Sequence, residues 1–454
     1  MINVIAVNSL RSLAIGAEYG FSLIAYYVLA SVFFFVPSAL IAAELATGWP
    51  QKGGVYVWVR EAFGKKLAFL AIWLQWIYNV VWYPTILAFI AATFAYLIDP
   101  ALAHNQIFML IAVLVIYWAT TLINCLGMRA SSWMSVIGAI FGTLLPICLV
   151  IILGLIWLIK GQPLQIEIST KALLPDLTNW GNVGFLTAVL FGLAGMEMSA
   201  VHAEEVRNPQ RDYPKALFYS TVIIFITLVL GSLAIAMVVP NKQLSLVAGV
   251  MDAFAIFLQA YHLSWALPLV ALFIVIGGIC SVSTWSFGPT KGLLVAAHDG
   301  IMPTGLLRVN RFGAPVAILI TQAVIFTILC SVFVLFPSVN SSYWILTALT
   351  SQLALLFYML LFTAAIRLRY KYPDQPRAYR LPGGNIWMWL VAGMGILACF
   401  ITLWLGFLPP AQLQLGKIWV YELMLMGGML VVSLSGFMIT KLGKTNACKS
   451  SCGI

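Results

Sequence analysis

Residues 191–205 read FGLAGMEMSAVHAEE. They lie in an apolar run that begins near Val183, so Glu197 is a carboxylate set midway along a stretch suited to hydrocarbon. An ionisable group in such a place is costly, and its default reading is functional. Gly192 and Gly195 stand just upstream. Each glycine weakens a helix by about 1 kcal/mol relative to alanine. The spacing therefore predicts a helix that breaks beside a buried acid. Backbone groups freed at membrane depth are tolerated only where they line a cavity. The competing reading of the two glycines is close helix packing.

The whole chain has the character of this run. Of its 454 residues 62% are hydrophobic and only 8% are charged, against about 25% charged in a soluble domain. A water-soluble fold of this composition would expose large apolar patches, so the sequence reads as an all-α polytopic membrane protein. The net charge of +10 does not point to nucleic acid, because the basic residues fall in short loops between apolar runs. The seven cysteines show no metal-ligand spacing and imply no disulfide framework. No cleavable signal peptide is expected. The chain opens inside an apolar segment, MINVIAV, so either the first span is short or the start lies upstream.

A bilayer crossing needs about 20 apolar residues. Twelve such runs are expected, at 1–19, 21–46, 67–98, 107–126, 133–159, 183–206, 217–239, 265–297, 314–336, 343–368, 386–408 and 419–441. The stretch 244–263 carries Asp252 and His262 and reads as an interfacial helix. With the N-terminus inside, nineteen of the 24 Lys and Arg fall in loops on the inner side and four on the outer, with Arg11 inside the first span. That bias predicts both termini cytoplasmic. The basic segment 367–384 reads as a surface linker. The chain is expected to be one membrane domain.

Span 1 carries a second interruption, VNSLRSL (7–13), with an arginine in apolar surroundings. Spans 1 and 6 open two consecutive five-span sets. Interrupted segments at matching positions in two halves point to a transporter built from inverted repeats. Half-helix N-termini suit a carboxylate there, and freed carbonyls suit an ammonium.

Three further stretches fit together: AAELATGWPQKGGVYVWVREAFG (42–64), GMEMSAVHAEEVRNPQRDYPKA (195–216) and TWSFGPTKGLLVAAHDGIMP (284–303). Their order and content resemble the amino acid–polyamine–organocation (APC) superfamily. The resemblance is nearest to the bacterial glutamate/γ-aminobutyrate antiporters and runs over nearly the whole chain. It implies a LeuT-like 5+5 inverted repeat of twelve transmembrane helices, with helices 1 and 6 broken. The first repeat would cover 1–159, the second 183–368, and two peripheral helices 386–441. The cargo would be an amino acid or amine, moved by alternating access across a bacterial inner membrane, with no cofactor and no metal. The oligomer would be a monomer or homodimer. Two departures stand out. Only residues 442–454 follow the last expected span, so the C-terminal plug of those antiporters is not expected. The segment NSLRSLAIGAEYG (8–20) is longer than its family counterpart and brings in Arg11 and Glu18.

The resemblance places an unwound first span at Ala6 to Ser12, which makes Val7, Asn8, Ser9 and Arg11 candidate substrate residues. It places a gating aromatic at Phe191, beside Gly192 and Gly195, and a span-8 aromatic at Trp285. A polar span-3 position falls on Asn79, and the span-6 glutamate on Glu197. Several of these have two readings. Glu197 either meets cargo or a proton, or caps freed backbone N–H groups. Arg11 either takes a cargo carboxylate or pairs with Glu18 or Glu197. Asn79 bonds either cargo or a neighbouring helix. Phe191 and Trp285 either stack on cargo or simply pack. His202 either senses pH or joins a polar cluster with Glu204 and Glu205 at the end of the span.

The function class that follows is a secondary transporter of amino acids, an antiporter or a proton-coupled symporter; a polyamine carrier is the nearest alternative. An intramembrane enzyme would need His, Asp or Cys converging at one face, and the four histidines lie apart. A channel would show a filter loop, and none is evident. There is no Walker A sequence for ATP-driven transport.

Overall fold

A computed structural model describes residues 4, 7–51, 53–125, 138, 140–175, 183–198, 208–302, 309–311, 314–410, 413 and 417–451. The described chain is almost wholly helical. The elements that matter here are α1 (Leu10–Ala17), α2 (Gly20–Gly48), α3 (Val55–Phe63), α4 (Lys65–Ala95) and α5 (Gln106–Cys125). They continue with α6 (Ile140–Ile159), α7 (Leu186–Gly192), α8 (Pro209–Val238), α9 (Gly249–Ala260) and α10 (Leu267–His298). The last four are α11 (Val316–Leu329), α12 (Val339–Lys371), α13 (Gly384–Leu405) and α14 (Ile418–Ser451).

Ten helices among the described residues are long and apolar enough to cross a bilayer. The protein is therefore a multi-pass membrane protein. Of the twelve expected spans, the first and the sixth are absent from those ten. The α-helices described within them are α1 and α7, of 8 and 7 residues; of the two expected spans, residues 1–3, 5, 6 and 199–206 lie outside the description. Helix α9, in the stretch read as interfacial, has 12 residues, too few to span.

Position in the bundle follows sequence character. Helix α4 is apolar on every face, the pattern of a helix buried all round. It lies at the centre, with 94% of its most apolar window buried, and packs along α10 and α12. The same measure for α14 is 11%, so that helix turns most of its surface to lipid. Close crossings use small residues. A Cβ built on Gly277 of α10 would stand 2.0 Å from the Gly142 nitrogen of α6; the two backbones touch, and any larger side chain would force them apart.

The segment after α12 is not the free linker its basic, proline-bearing sequence suggests. It folds back over the end of α2. Arg369 donates from Nε and Nη2 to the two oxygens of Glu44, at 2.6 and 2.7 Å. Arg377 adds a bond at 3.2 Å, and the Leu381 N–H a fourth at 2.9 Å. Gln375 donates to the Gly48 carbonyl, and Thr47 donates to the Tyr379 carbonyl. Glu44 and Arg369 are both buried. Sequence reading singled out neither as a pair, because 325 residues separate them.

Candidate substrate site

Helix α1 begins at Leu10, after Asn8 and Ser9 leave helical geometry, and Ser9 is extended with φ −123° and ψ 126°. Helix α7 ends at Gly192. Gly195, three residues on, has φ +120°, a conformation that L side chains rarely adopt. A single helical turn, 196–198, follows. The two interruptions lie against each other: a Cβ on Gly192 would meet the Ser12 Oγ at 3.3 Å.

A cavity of about 40 Å³ opens where these ends meet. One water needs roughly 10–15 Å³ on that scale, so there is room for a small polar group. Val7, Ser9, Arg11 and Ser12 line one side, Phe191, Gly192, Ala194 and Gly195 another. Tyr78, Asn79 and Trp82 of α4 and Trp285 of α10 complete it. The aromatic wall is continuous, with Trp82 and Trp285 ring centroids 5.6 Å apart and Tyr78 edge-on to Phe191 at 6.1 Å.

Eight of the ten substrate residues expected from sequence therefore line one cavity: Val7, Ser9, Arg11, Asn79, Phe191, Gly192, Gly195 and Trp285. Asn8 points elsewhere and donates to Thr227 Oγ1 of α8 at 2.8 Å. Glu197 lies behind the cavity rather than in its lining. The Tyr358 hydroxyl of α12 donates to Glu197 Oε2 at 2.6 Å and accepts the Gly195 N–H at 2.6 Å. The second oxygen, Oε1, is buried with no hydrogen-bond partner among the described residues. A bonded relay thus joins the cavity floor at Gly195 to the buried carboxylate. Asn79 donates to the Gln75 carbonyl of its own helix at 2.7 Å, and among the described residues no bond from its amide to a neighbouring helix is formed. His202, Glu204 and Glu205 lie outside the described residues.

Arg11 decides the electrostatics. Among the described residues no carboxylate comes within ion-pair distance of it, so the pairing with Glu18 or Glu197 weighed above is not formed. Its Nη1 donates to Thr85 Oγ1 of α4 at 3.1 Å, and to Tyr343 Oη and Thr347 Oγ1 of α12 at 3.3 and 3.4 Å. The guanidinium carbon lies 5.9 Å from the Trp82 ring centroid and 5.8 Å from those of Phe191 and Tyr343. Its Nε is buried without a hydrogen-bond partner among the described residues.

Sequence reasoning missed Ser12, Tyr78, Trp82 and Ala194. Tyr78 and Trp82 are four apart, on one helical face, and flank Asn79; that spacing was legible. With 16 Trp and 17 Tyr in the chain, nothing in the sequence set these two above the others.

The match of this chain to a family model described as amino acid permease runs over residues 3–430. The chain belongs to the amino acid permease family. Among the relatives of this permease is a protein of Legionella pneumophila described as an uncharacterized transporter. It is 53% identical over 99% of this chain and 96% of its own length. The glutamate/γ-aminobutyrate antiporter of Lactococcus lactis is 30% identical over 92% of this chain and 84% of its own. The structure of MhsT in complex with L-phenylalanine superposes with a TM-score of 0.56 at 16% identity. The match covers 89% of this chain and 97% of MhsT, a likeness of fold, in keeping with the LeuT-like architecture.

Proposed function

We propose that this permease is a secondary active transporter of amino acids that works by alternating access, and that it exchanges one amino acid for another. The observation that carries the reading is the meeting of two helix ends on one aromatic-walled cavity. The N-terminal end of α1 offers partial positive charge and free N–H groups to a carboxylate. The C-terminal end of α7 offers carbonyls to an ammonium. A zwitterion presents that pair of charges.

On this reading α1 and α7 are halves of broken helices 1 and 6 in a 5+5 inverted repeat of twelve spans, and the cavity is the central site. Val7, Ser9, Gly192 and Gly195 supply backbone to the cargo; Phe191, Trp82 and Trp285 cover it. Glu197, bonded through Tyr358 to the cavity floor, is the group that links cargo to a proton. The chain sits in a bacterial inner membrane with both termini cytoplasmic, as the loop charges favour. An amino acid cargo that includes glutamate is supported by the Lactococcus relative.

The test is counterflow. Purified protein in liposomes preloaded with unlabelled amino acids should accumulate the labelled form from outside. An absence of flux across a panel of proteinogenic amino acids and γ-aminobutyrate, at both pH 5 and pH 7, would end the proposal.

A further inference from the structure

We infer that Arg11 is the anion receptor of the cavity and sets its specificity. It selects cargo carrying a carboxylate beyond the one common to all amino acids. This deepens the transport reading and rests on it.

A guanidinium stays charged in a protein interior, and Arg11 is only 2% exposed. Its partners are three hydroxyls and three aromatic rings. Neutral partners orient the group and soften the desolvation cost, but they bring no opposite charge. Nε has no hydrogen-bond partner among the described residues. Among the described residues Arg11 is the only charged side chain in the cavity lining, and none of them sets a carboxylate against it. An unpaired buried charge is strongly destabilising. The same chain pairs Arg369 with a carboxylate on two bonds. A ligand that brings its own carboxylate offsets the cost at Arg11 on each occupancy.

The α-carboxylate of an amino acid already has the N-terminal end of α1. The Arg11 side chain is drawn away from its own helix toward α4 and α12 by Thr85, Tyr343 and Thr347. The two attractive features address different parts of the cargo, and the guanidinium meets the side chain. A neutral amino acid leaves Arg11 unpaired, and a diamine adds a second positive charge. If Arg11 were only a tie between α1, α4 and α12, its replacement would harm every cargo alike.

The experiment uses the full-length protein in liposomes. It measures counterflow of glutamate, glutamine and putrescine for the wild type, Arg11→Gln and Arg11→Lys. The wild type should prefer glutamate to glutamine and exclude putrescine. Arg11→Gln should lower the glutamate-to-glutamine ratio of kcat/KM by about tenfold or more, the loss of a charge-assisted pair. Arg11→Lys keeps the charge without the planar fork and should fall between the two. Equal loss of glutamate and glutamine in Arg11→Gln overturns the inference, as does a wild-type preference for glutamine or putrescine. Should Arg11→Gln fail to fold, the wild-type ranking and Arg11→Lys still decide. A wild type that moves none of the panel amino acids defeats the transport reading instead, so the two failures are told apart.

Discussion

Arg11 and Arg369 are both almost fully buried, yet their guanidinium groups are held in opposite ways. Arg369 faces a carboxylate at 2.6 and 2.7 Å and also donates to the Leu381 carbonyl. Arg11 meets hydroxyls at 3.1 to 3.4 Å, with no carboxylate in range among the described residues. The first arrangement has its counter-charge within the chain, although Nη1 of Arg369 has no hydrogen-bond partner among the described residues, and it fastens the segment after α12 to the end of α2. The second is incomplete and lies on a cavity. The contrast is one of counter-charge: Arg369 has a carboxylate against it, and Arg11, on the cavity, has none among the described residues.

The comparison can be broken most sharply at Arg369. Arg369→Leu leaves Glu44 buried without that partner, and breaking such a pair by removing one member costs about 3–5 kcal/mol. A large fall in the midpoint of thermal unfolding is expected, with poor recovery of monodisperse protein. Arg11→Leu removes an uncompensated charge, and its unfolding midpoint should fall far less or not at all. Equal falls in the two variants would erase the distinction drawn here.

Glu197→Gln tests the carboxylate behind the cavity. Tyr358 can still donate to the amide oxygen, so the fold should hold while the proton-binding group is gone. The ratio of flux at pH 5 to flux at pH 7 should move toward one. A variant with the wild-type pH profile would remove Glu197 from proton coupling.

Tyr343→Phe is a finer probe of how Arg11 is aimed. It deletes one acceptor, a loss of about 0.5–1.5 kcal/mol. A roughly two- to tenfold rise in KM for glutamate is expected, with a smaller change for glutamine. A rise shared equally by both cargoes would make the hydroxyl structural.

The smallest effect is expected at a half-exposed joint between α3 and the end of α10. Tyr56 donates to Asp299 at 2.7 Å, and Arg60 lies 3.2 Å from the same oxygen. Burial works to raise the Asp299 carboxyl, but the Tyr56 hydroxyl, Arg60 and Lys65 outweigh it and hold it below the usual carboxylate range. A carboxylate depressed in the folded state stabilises above its unfolded value, about 3.9, and loses that contribution as pH falls through the folded value. Asp299→Asn should therefore lower the unfolding midpoint slightly at pH 6 and by less at pH 3. An equal decrement at both pH values would show that the charge is not what matters.

Much of this was legible before any coordinates. Apolar runs of bilayer length gave the spans, because a backbone in hydrocarbon must satisfy its own hydrogen bonds and the side chains must match the solvent. Glycines and polar residues in spans 1 and 6 marked the places where α1 starts and α7 ends. Eight cavity residues were named from those marks and from motif order. What was not legible depended on contacts across the chain. The pairing of Glu44 with Arg369 joins residues 325 apart, and no local pattern announces it. Asn8 and Arg11 share one interrupted segment, yet one turns to Thr227 and the other to the cavity.

The sequence by itself determined that this chain crosses a membrane many times, where α1 begins and α7 ends, and to which family it belongs. Those properties are set by hydrophobic length, local helix propensity and ordered motifs. The tertiary structure alone decided which buried charges are matched. Whether a guanidinium finds a carboxylate is settled at a few ångströms, between helices far apart in sequence. That distance separates Arg369, closed on Glu44, from Arg11, which meets only hydroxyls and rings among the described residues.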